Sequence, residues 1–392
     1  MKSEWKTVPL SEVADLTVGF VGTMASHYVD DGVLFLRSTN IEPFNIRMDD
    51  VKYISEDFNN KIKKSQLNEN DVVIVRTGKP GACAIIPCKS KAWNCSDLVI
   101  IRPDQSALDP VFLASYINLA SGVINAHLVG AVQQHFNVGA AKKMMIPLPP
   151  INEQRKMASL IRILNSKIET NRKINDNLYE MVNAYYTSLF KDVECEMTTI
   201  GSYAERIYSG GTPATSNAAY WDGTFGWFSS GETRNRFVIS TENTITQAGI
   251  DNSSTKLAVK HDIVMASAGQ GFTRGQTSML LTDTYVNQSV IVIHAERNVL
   301  PYLFWNLVNR YEELRAISDS SSIRGSLTTK MIAAFEIPHA NEELLHAFSD
   351  FSWSVIPQIE NNLLENERLA ALRDSLLPKL MSGEIDVSDI QI

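Results

Sequence analysis

Polar side chains that can form paired hydrogen bonds collect at six places along this chain of 392 residues, mostly just after predicted strands. They are Arg37, Ser38 and Asn40; Arg76, Thr77 and Lys79; Gln133, Gln134, His135 and Asn137; Arg234 and Arg236; Ser267, Gln270, Thr273 and Arg274; and Ser321 and Arg324. Arg and Lys match the edge of guanine in the major groove of DNA, and Asn and Gln match the edge of adenine. We therefore predict contacts to DNA, and the alternative for each cluster is a solvated loop without a partner.

No spacing in the sequence predicts catalysis. The loop that begins at Gly78 lacks the G-x-x-x-x-G-K-[ST] pattern that holds nucleotide phosphates, and no H-E-x-x-H pair is present to hold a metal. His135 has no partnered nucleophile that would make it a catalytic base. We therefore expect a protein that is not an enzyme and needs no cofactor.

Three cysteines, Cys83, Cys88 and Cys95, lie close enough in sequence to raise the question of a zinc site. Their spacing lacks a C-x2-C pair, and no fourth ligand lies nearby. We expect thiols without a metal, in a reducing compartment.

The charge balance argues against a protein that binds nucleic acid alone. Lys and Arg number 36 against 44 Asp and Glu, a net charge of −8, whereas a lone non-specific DNA-binding protein is normally basic. A DNA hypothesis therefore needs a partner that shares the phosphate contacts. The first ten residues carry charges where a signal peptide needs an apolar run, so we expect a cytoplasmic protein.

The elements that must position these side chains repeat at a distance of 191 residues. An acidic residue before a predicted strand, the glycine after it and an Ile-Pro pair before a long helix all recur: Asp71 and Asp262, Gly78 and Gly269, and Ile146-Pro147 and Ile337-Pro338. A period of this length corresponds to a whole domain with its connection. Two equivalent modules in tandem suit a target with two half-sites.

Each repeat ends in a segment that predicts a long helix. Residues 151–191 contain neither Gly nor Pro, and about forty residues at 1.5 Å rise form a rod of roughly 60 Å. Residues 341–381 repeat this pattern but contain Pro357 and Pro378. We expect Pro357 to kink the second helix or to delay its start.

Both predicted helices carry the 3.5-residue seam of a coiled coil. The seam residues are Leu164, Ile168, Asn171, Asn175, Leu178, Val182, Tyr185 and Leu189, matched by Val355, Ile359, Asn362, Asn366, Leu369, Arg373, Leu376 and Leu380. A buried Asn costs stability unless it pairs, and it fixes the register when it does. In an antiparallel arrangement the Asn pair of one helix would meet that of the other. The alternatives are two exposed helices with incidental Asn, or helices that pair between two chains.

Together these motifs resemble the specificity subunit of type I restriction-modification enzymes. The resemblance covers essentially the whole chain and is carried by Arg76-Thr77-Gly78-Lys79-Pro80-Gly81, by Ile146 through Gln154, by the duplication, and by LPKLMSGEIDV at 377–387. The second copies depart from the pattern, with Ser267-Ala268-Gly269-Gln270-Gly271 in place of the first loop.

The resemblance implies an α+β fold in which two target-recognition domains, each a mixed β-sheet with helices, are joined by two long antiparallel coiled-coil helices with pseudo-two-fold symmetry. The implied domains are residues 1–150 and 193–340, with spacer helices in 151–192 and in 341–392, where the second includes the C-terminal tail. Each domain would recognise half of an asymmetric bipartite site in double-stranded DNA. Two methylation subunits would dock on the helices and supply phosphate contacts, and restriction and translocation subunits would join through the complex.

Two alternatives stay open at this point. One is a specificity subunit of a related restriction system whose methylation and cleavage activities share one partner chain. The other is a duplicated small-molecule or carbohydrate-binding protein, which would need an export signal. In the DNA hypothesis, recognition domains on one face of B-DNA lie about one helical turn, ~34 Å, apart. A rod of roughly 60 Å can hold them there, so helix length would set the length of the unread spacer.

Overall fold

The computed structural model describes residues 5–48, 50–77, 81–88, 91–127, 137–190, 196–269, 273–320, 325–387 and 390, with the backbone alone for 121–127 and 320. The chain divides into two compact units, Met1–Glu169 with Glu367–Ile392 (unit 1) and Thr170–Asn366 (unit 2). None of the described helices combines the length and apolarity needed to cross a membrane.

In the residues that the structure describes, unit 1 has thirteen strands and three shorter helices before its first long helix. The strands are β1 (Lys6–Pro9), β2 (Ala14–Val18), β3 (Tyr28–Val29), β4 (Val33–Leu36), β5 (Ile41–Glu42), β6 (Asn45–Ile46), β7 (Lys52–Ile54), β8 (Gln66–Leu67), β9 (Val72–Val75), β10 (Cys83–Ile85), β11 (Trp93–Cys95), β12 (Leu98–Pro103) and β13 (Met145–Leu148). The helices are α1 (Glu56–Lys61), α2 (Pro110–His127), α3 (Val138–Lys143) and α4 (Ile151–Phe190).

After α4 the chain continues with a second series of strands and helices, which ends in the second long helix. The strands are β14 (Met197–Thr199), β15 (Ala204–Ser209), β16 (Trp221–Phe228), β17 (Phe237–Val238), β18 (Asn243–Ile245), β19 (Lys256–Ala258), β20 (Ile263–Ala266), β21 (Thr277–Leu280), β22 (Thr284–Val286), β23 (Val290–Ala295) and β24 (Glu336–Pro338). The helices are α5 (Ile200–Tyr203), α6 (Gln247–Asp251), α7 (Leu300–Asn309), α8 (Tyr311–Ser320), α9 (Thr329–Ala333) and α10 (Glu342–Met381).

Two larger sheets form most of the described globular part of unit 1, beside the two-stranded pairs β1-β13 and β5-β6. One is antiparallel with the order β10-β9-β12-β2, and the other has the order β3-β7-β4-β11-β8, in which β4 and β11 are parallel. Strand β9 is apolar throughout because both of its faces are covered: Val72 and Ile74 belong to one core cluster, and Val73 and Val75 to another.

The sheets of unit 2 repeat this arrangement with nearly the same register. Strands β15-β23-β20-β21-β17 form one sheet and β18-β16-β22-β19 the other, with β16 and β22 parallel. Val75 faces Leu98 across β9 and β12, and Ala266 faces Val290 across β20 and β23. The repeat of the sequence is therefore a repeat of strand pairing.

The repeated acidic residue has the same structural task in each unit. Asp71 and Asp262 are buried and each accepts the backbone N–H of the residue three positions earlier, at 2.8 Å and 3.0 Å. Each carboxylate also meets a basic side chain of the neighbouring strand, Arg102 at 3.5 Å in unit 1 and His294 at 2.6 Å in unit 2. The carboxylate recurs because it orders the turn that precedes the central strand.

The two long helices contribute residues to both units. In unit 1, Met157 and Ile161 of α4 share a core cluster with Leu377 and Leu380 of α10. In unit 2, Val182 of α4 shares a core cluster with residues from the first half of α10. In each unit the chain directions of the two helices are opposite, as the antiparallel hypothesis requires.

The predicted contact between the Asn pairs is confirmed within unit 2. Asn362 Nδ2 donates to Asn175 Oδ1 at 2.7 Å, and Asn171 Nδ2 donates to Asn366 Oδ1 at 3.0 Å. Asn171 also donates to Glu365 Oε2 at 2.7 Å and is fully buried. The interior polar levels of the two seams therefore hydrogen-bond to each other, which rules out two unpaired helices, although Asn171 Oδ1 is buried without a hydrogen-bond partner among the described residues.

A late start of the second helix at Pro357 is wrong, because α10 runs from Glu342 through both prolines to Met381. Proline removes one helical hydrogen bond and costs about 3 kcal/mol. Val355, Ile356 and Ile359 flank the proline and are at most 6% exposed in the core of unit 2. Each such side chain contributes roughly 1.5–3 kcal/mol on burial, so packing outweighs the lost bond.

Replacing Asn362 alone by Leu should lower the free energy of unfolding by about 1–3 kcal/mol, because the half-buried Asn175 Oδ1 loses its donor. Replacing Asn175 and Asn362 together by Leu should recover most of that loss, since no orphaned amide remains. Chemical denaturation of the two single variants and the double variant, treated as a double-mutant cycle, measures the coupling. Additive losses would show that the two amides do not stabilise each other.

Candidate nucleic-acid interface

In unit 1 the strand pairing brings three loops together at one end of the two sheets. Strand β4 ends at Leu36 beside Cys95, the end of β11, and β9 ends at Val75 beside Leu98, the start of β12. Arg37 follows β4, Arg76 follows β9, and Asp97 directly precedes β12, so these three residues lie at the same end. We call these three residues strand-end cluster 1.

The charges of strand-end cluster 1 lie close to one another. Arg37 donates to the backbone oxygen of Asp50 at 2.5 Å and to its carboxylate at 2.8 Å, and Arg76 lies 4.0 Å from Asp97. Partial burial opposes ionisation of Asp50, but the hydrogen bonds and charges of Arg37 and Lys52 outweigh it and lower its pKa. The two arginines of the cluster thus face two carboxylates, Asp50 outside the cluster and Asp97 within it.

Several guanidinium nitrogens of this cluster have no hydrogen-bond partner. Nε of Arg37, and Nε and Nη1 of Arg76, are buried and donate to no acceptor in the described part of the chain. A buried donor without an acceptor costs about 1–3 kcal/mol, so such groups call for a further partner. Thr77 follows Arg76 and is half-buried.

Asn40 orders the loop after β4. It is 2% exposed, its Oδ1 accepts the N–H of Arg37 at 3.0 Å, and its Nδ2 donates to the backbone oxygens of Arg47 and Asp50, both at 3.2 Å. Ser38 is half-buried in the short 3-10 helix Ser38–Asn40 that this amide caps. Because its amide forms hydrogen bonds within the loop, Asn40 is not among the side chains that we propose to contact DNA.

Unit 2 has a corresponding set of residues. Strand β16 ends at Phe228 beside Val286, and Ala266 at the end of β20 lies beside Val290. Ser229 follows β16, Ser267 follows β20, and Gln288 lies in the turn between β22 and β23. We call these three residues strand-end cluster 2. All three are uncharged, whereas the three residues of strand-end cluster 1 are charged.

Glu232 has in unit 2 the task that Asn40 has in unit 1. Its carboxylate accepts the N–H groups of Ser229 and Glu242, both at 2.8 Å, and the side chain is 2% exposed. Burial raises the pKa of Glu232, although its hydrogen bonds act in the opposite direction. The loop after β4 is thus capped by an amide oxygen, and the loop after β16 is capped by a carboxylate.

Three of the basic residues predicted in unit 2, Arg234, Arg236 and Arg274, lie in the described part of the chain and have partners within the unit. Arg234 pairs with Glu242 and donates to the oxygen of Gly231 at 2.6 Å. Arg274 pairs with Asp319 and donates to the oxygen of Gly325, which ties its loop to the end of α8. The half-buried Thr273 precedes Arg274.

Arg236 faces a helix. Its guanidinium lies 4.0 Å from the centre of the Tyr179 ring and 3.8 Å from the carboxylate of Asp176, both on α4. In unit 1 the arrangement is reversed, because Arg373 of α10 lies 4.5 Å from the ring of Phe44 in a loop. Arg236 therefore attaches its module to a helix, and we leave it out of the proposed interface.

Asn137 caps α3, where its Oδ1 accepts the N–H of Ala140 at 2.9 Å. The other predicted side chains lie outside the described residues: Lys79, Gln133, Gln134, His135, Gln270, Ser321 and Arg324. Among the described residues no group of His, Cys, Asp and Glu side chains could hold a metal ion.

Sequence reasoning did not select Asp97 and Gln288, although both occupy the exposed turn that leads into the strand beside the central one. A signal for them was present, because the distance between them is the repeat distance. They were missed because the turns are short and each contains only one residue of the relevant type after a buried polar residue, Ser96 or Asn287.

The raised pKa of Glu232 predicts a pH dependence of stability. Its folded-state pKa lies above the ordinary value of 4.5, so its stabilising contribution is complete below that pH and is lost as the pH rises through the folded-state pKa. Replacing Glu232 by Gln should remove this dependence and cost about 1–3 kcal/mol at pH 7, because an amide N–H would face a backbone N–H.

Unfolding free energies measured from pH 4 to 7 for the natural protein and the Glu232→Gln variant test this expectation. Glu242→Gln is the matched control, since that carboxylate is 56% exposed and its ion pair contributes less than about 1 kcal/mol. Parallel pH curves for the natural protein and Glu232→Gln would contradict it.

Comparison with known proteins identifies part of the chain. Residues 2–180 match the family model described as the type I restriction modification DNA specificity domain. The specificity subunit of the type I restriction enzyme EcoR124I/EcoR124II of Escherichia coli is 27% identical over 51% of this chain and 52% of its own length. The HindI specificity subunit of Haemophilus influenzae is 24% identical over 46% of this chain and 39% of its own. The chain thus spans about half the length of the curated relatives it matches, or less.

The fold also has a counterpart among solved structures. The S subunit of a type I restriction-modification system from M. genitalium superposes with a TM-score of 0.55 at 14% identity, over 97% of this chain and 96% of that one. At this identity the likeness concerns the fold, which agrees with the mixed sheets and paired long helices predicted from the sequence. Residues 2–180 therefore match a type I restriction modification DNA specificity domain, and the resemblance recognised from the motifs is confirmed over this part of the chain.

Proposed function

We propose that this chain is the DNA-recognition subunit of a type I restriction-modification enzyme and directs methylation and restriction subunits to an asymmetric bipartite site. The observation that carries the proposal is the pair of strand-end clusters. Equivalent strand ends present Arg37, Arg76 and Asp97 in unit 1 and Ser229, Ser267 and Gln288 in unit 2. One backbone arrangement with two different sets of hydrogen-bonding side chains is what recognition of two different half-sites requires.

The proposal assigns most phosphate contacts to partner subunits. The chain has a net charge of −8, and the guanidinium groups near the clusters pair with Asp50, Asp97, Glu242 and Asp319. Phosphate contacts dominate the affinity of proteins for DNA and require free cations. Methylation subunits that enclose the duplex would supply them, and the chain itself would have no catalytic role.

The helices α4 and α10 are proposed to determine the length of the unread spacer. Both run through 40 residues and carry matched seams. Because each contributes to both units, its length would be transmitted to the spacing of the two half-sites.

Co-expression with its cognate methylation subunit should produce adenine methylation at one asymmetric bipartite motif. Methylome sequencing of the host detects the motif, and omission of either subunit is the control. A folded complex, verified by gel filtration, that creates no new modified motif would contradict the proposed function.

Deleting one heptad from each long helix at matching levels, with the Asn levels retained, should shorten the spacer by ~3 base pairs. Seven residues span about 10 Å of helix, and base pairs of B-DNA are 3.4 Å apart. Both half-sites should stay the same in the methylated motif. Altered half-sites with an unchanged spacer would rule out this role for the helices.

A further inference from the structure

We infer that Gln288 is the side chain through which unit 2 recognises an adenine, and that Asp97 recognises a cytosine in the half-site of unit 1. The inference rests on the proposed function. It concerns the equivalent turn in each module. In unit 1 this turn joins β11 to β12, and in unit 2 it joins β22 to β23.

The backbone of this turn is held in the same way in both units. The N–H of Ser96 donates to the oxygen of Leu36 at 3.0 Å, and the N–H of Asn287 donates to the oxygen of Phe228 at 3.1 Å. Ser96 and Asn287 are both buried. The residue after each of them, Asp97 or Gln288, is the first one whose side chain is exposed.

The end of the neighbouring strand supports the turn in both units. Phe20 donates its N–H to the oxygen of Cys95 at 2.8 Å, and Gly211 donates its N–H to the oxygen of Val286 at 3.1 Å. A Cβ atom on Gly210 would lie 1.9 Å from that same oxygen, so only glycine permits this approach. Thr212 is thereby held next to the turn.

Thr212 holds the Gln288 amide beside the turn. The hydroxyl of Thr212 donates to Oε1 of Gln288. Oε1 keeps a second lone pair, and Nε2 carries two donors. An amide in this state can accept from N6 of adenine and donate to its N7, the pairing by which Gln recognises adenine in the major groove.

Unit 1 has a different chemistry at the same position. The Asp97 side chain is 55% exposed and its carboxylate can only accept, with Arg76 at 4.0 Å to offset its charge near phosphates. The position of Thr212 is taken by Val21, which is 64% exposed and has no hydroxyl. An acceptor without a donor matches the N4 amino group of cytosine, so the two turns select different bases.

The two turns also differ in length, so that Asp97 and Gln288 extend from backbones of different size. Two residues separate Cys95 from Leu98 in unit 1, and three separate Val286 from Val290 in unit 2. Asp97 takes φ of 53°, in the left-handed region that Asp tolerates better than most residues.

The test uses the complete chain in complex with its methylation subunit and the motif found by methylome sequencing. Binding is measured for the natural site and for duplexes with each base pair replaced in turn. For Gln288→Ala we expect discrimination to fall about 10- to 100-fold at one A·T pair of one half-site and to persist at all other positions. Gln288→Glu should shift the preference at that pair to cytosine.

Three further variants complete the design. Gln247→Ala removes another exposed amide of unit 2, one bound to Asp251, and should change nothing. Thr212→Val should weaken discrimination at the same A·T pair, and Thr212→Ser should restore it. Asp97→Ala should relax one C·G pair in the other half-site.

The inference is overturned if Gln288→Ala, with a natural melting curve, keeps full discrimination at every base pair, or if the relaxed pair is not A·T. Should Gln288→Ala fail to fold, unchanged discrimination in the folded Thr212→Val variant overturns it equally. A natural complex that modifies no motif at all contradicts the proposed function instead, so the two failures are distinguishable.

Discussion

The hydrogen bonds between Asn175 and Asn362 and between Asn171 and Asn366 determine which residues of α4 face which residues of α10. A slip of one residue would rotate a helix by about 100° and separate these amide pairs, in which Asn171 and Asn362 are buried. Tyr186 of α4 and Phe348 of α10, whose rings lie 5.6 Å apart, join the core of unit 2 only in this register. The modules can pack against the helices because the amides allow one alignment.

The modules combine a repeated frame with side chains that differ. Repeated features, such as Asp71 and Asp262 or the bonds from Ser96 and Asn287, are contacts of buried carboxylates and backbone groups whose loss would leave polar atoms unsatisfied. Positions that differ, such as Arg76 and Ser267, stand where the frame ends. A frame of this kind tolerates exchange at the strand ends because few buried bonds depend on those side chains.

Several arginines near the strand ends are neutralised by carboxylates of the same unit. The guanidinium groups of Arg37, Arg234 and Arg274 have a carboxylate partner close by in the same unit. Such pairs order loops while keeping the net charge of each loop near zero, which accords with the proposal that partner subunits supply most phosphate contacts.

The repeat, the long helices, their polar seam levels and the family resemblance could all be predicted from the sequence, because each is a periodicity or a local motif that can be counted along the chain. The sequence could not determine which polar side chains are free. Asn40 proved to be a buried cap, and Arg236 proved to lie on Tyr179, a residue 57 positions earlier in the chain. Only the tertiary structure decided this, and only strand pairing brought Gln288 to Thr212, because contacts between distant residues follow no local pattern.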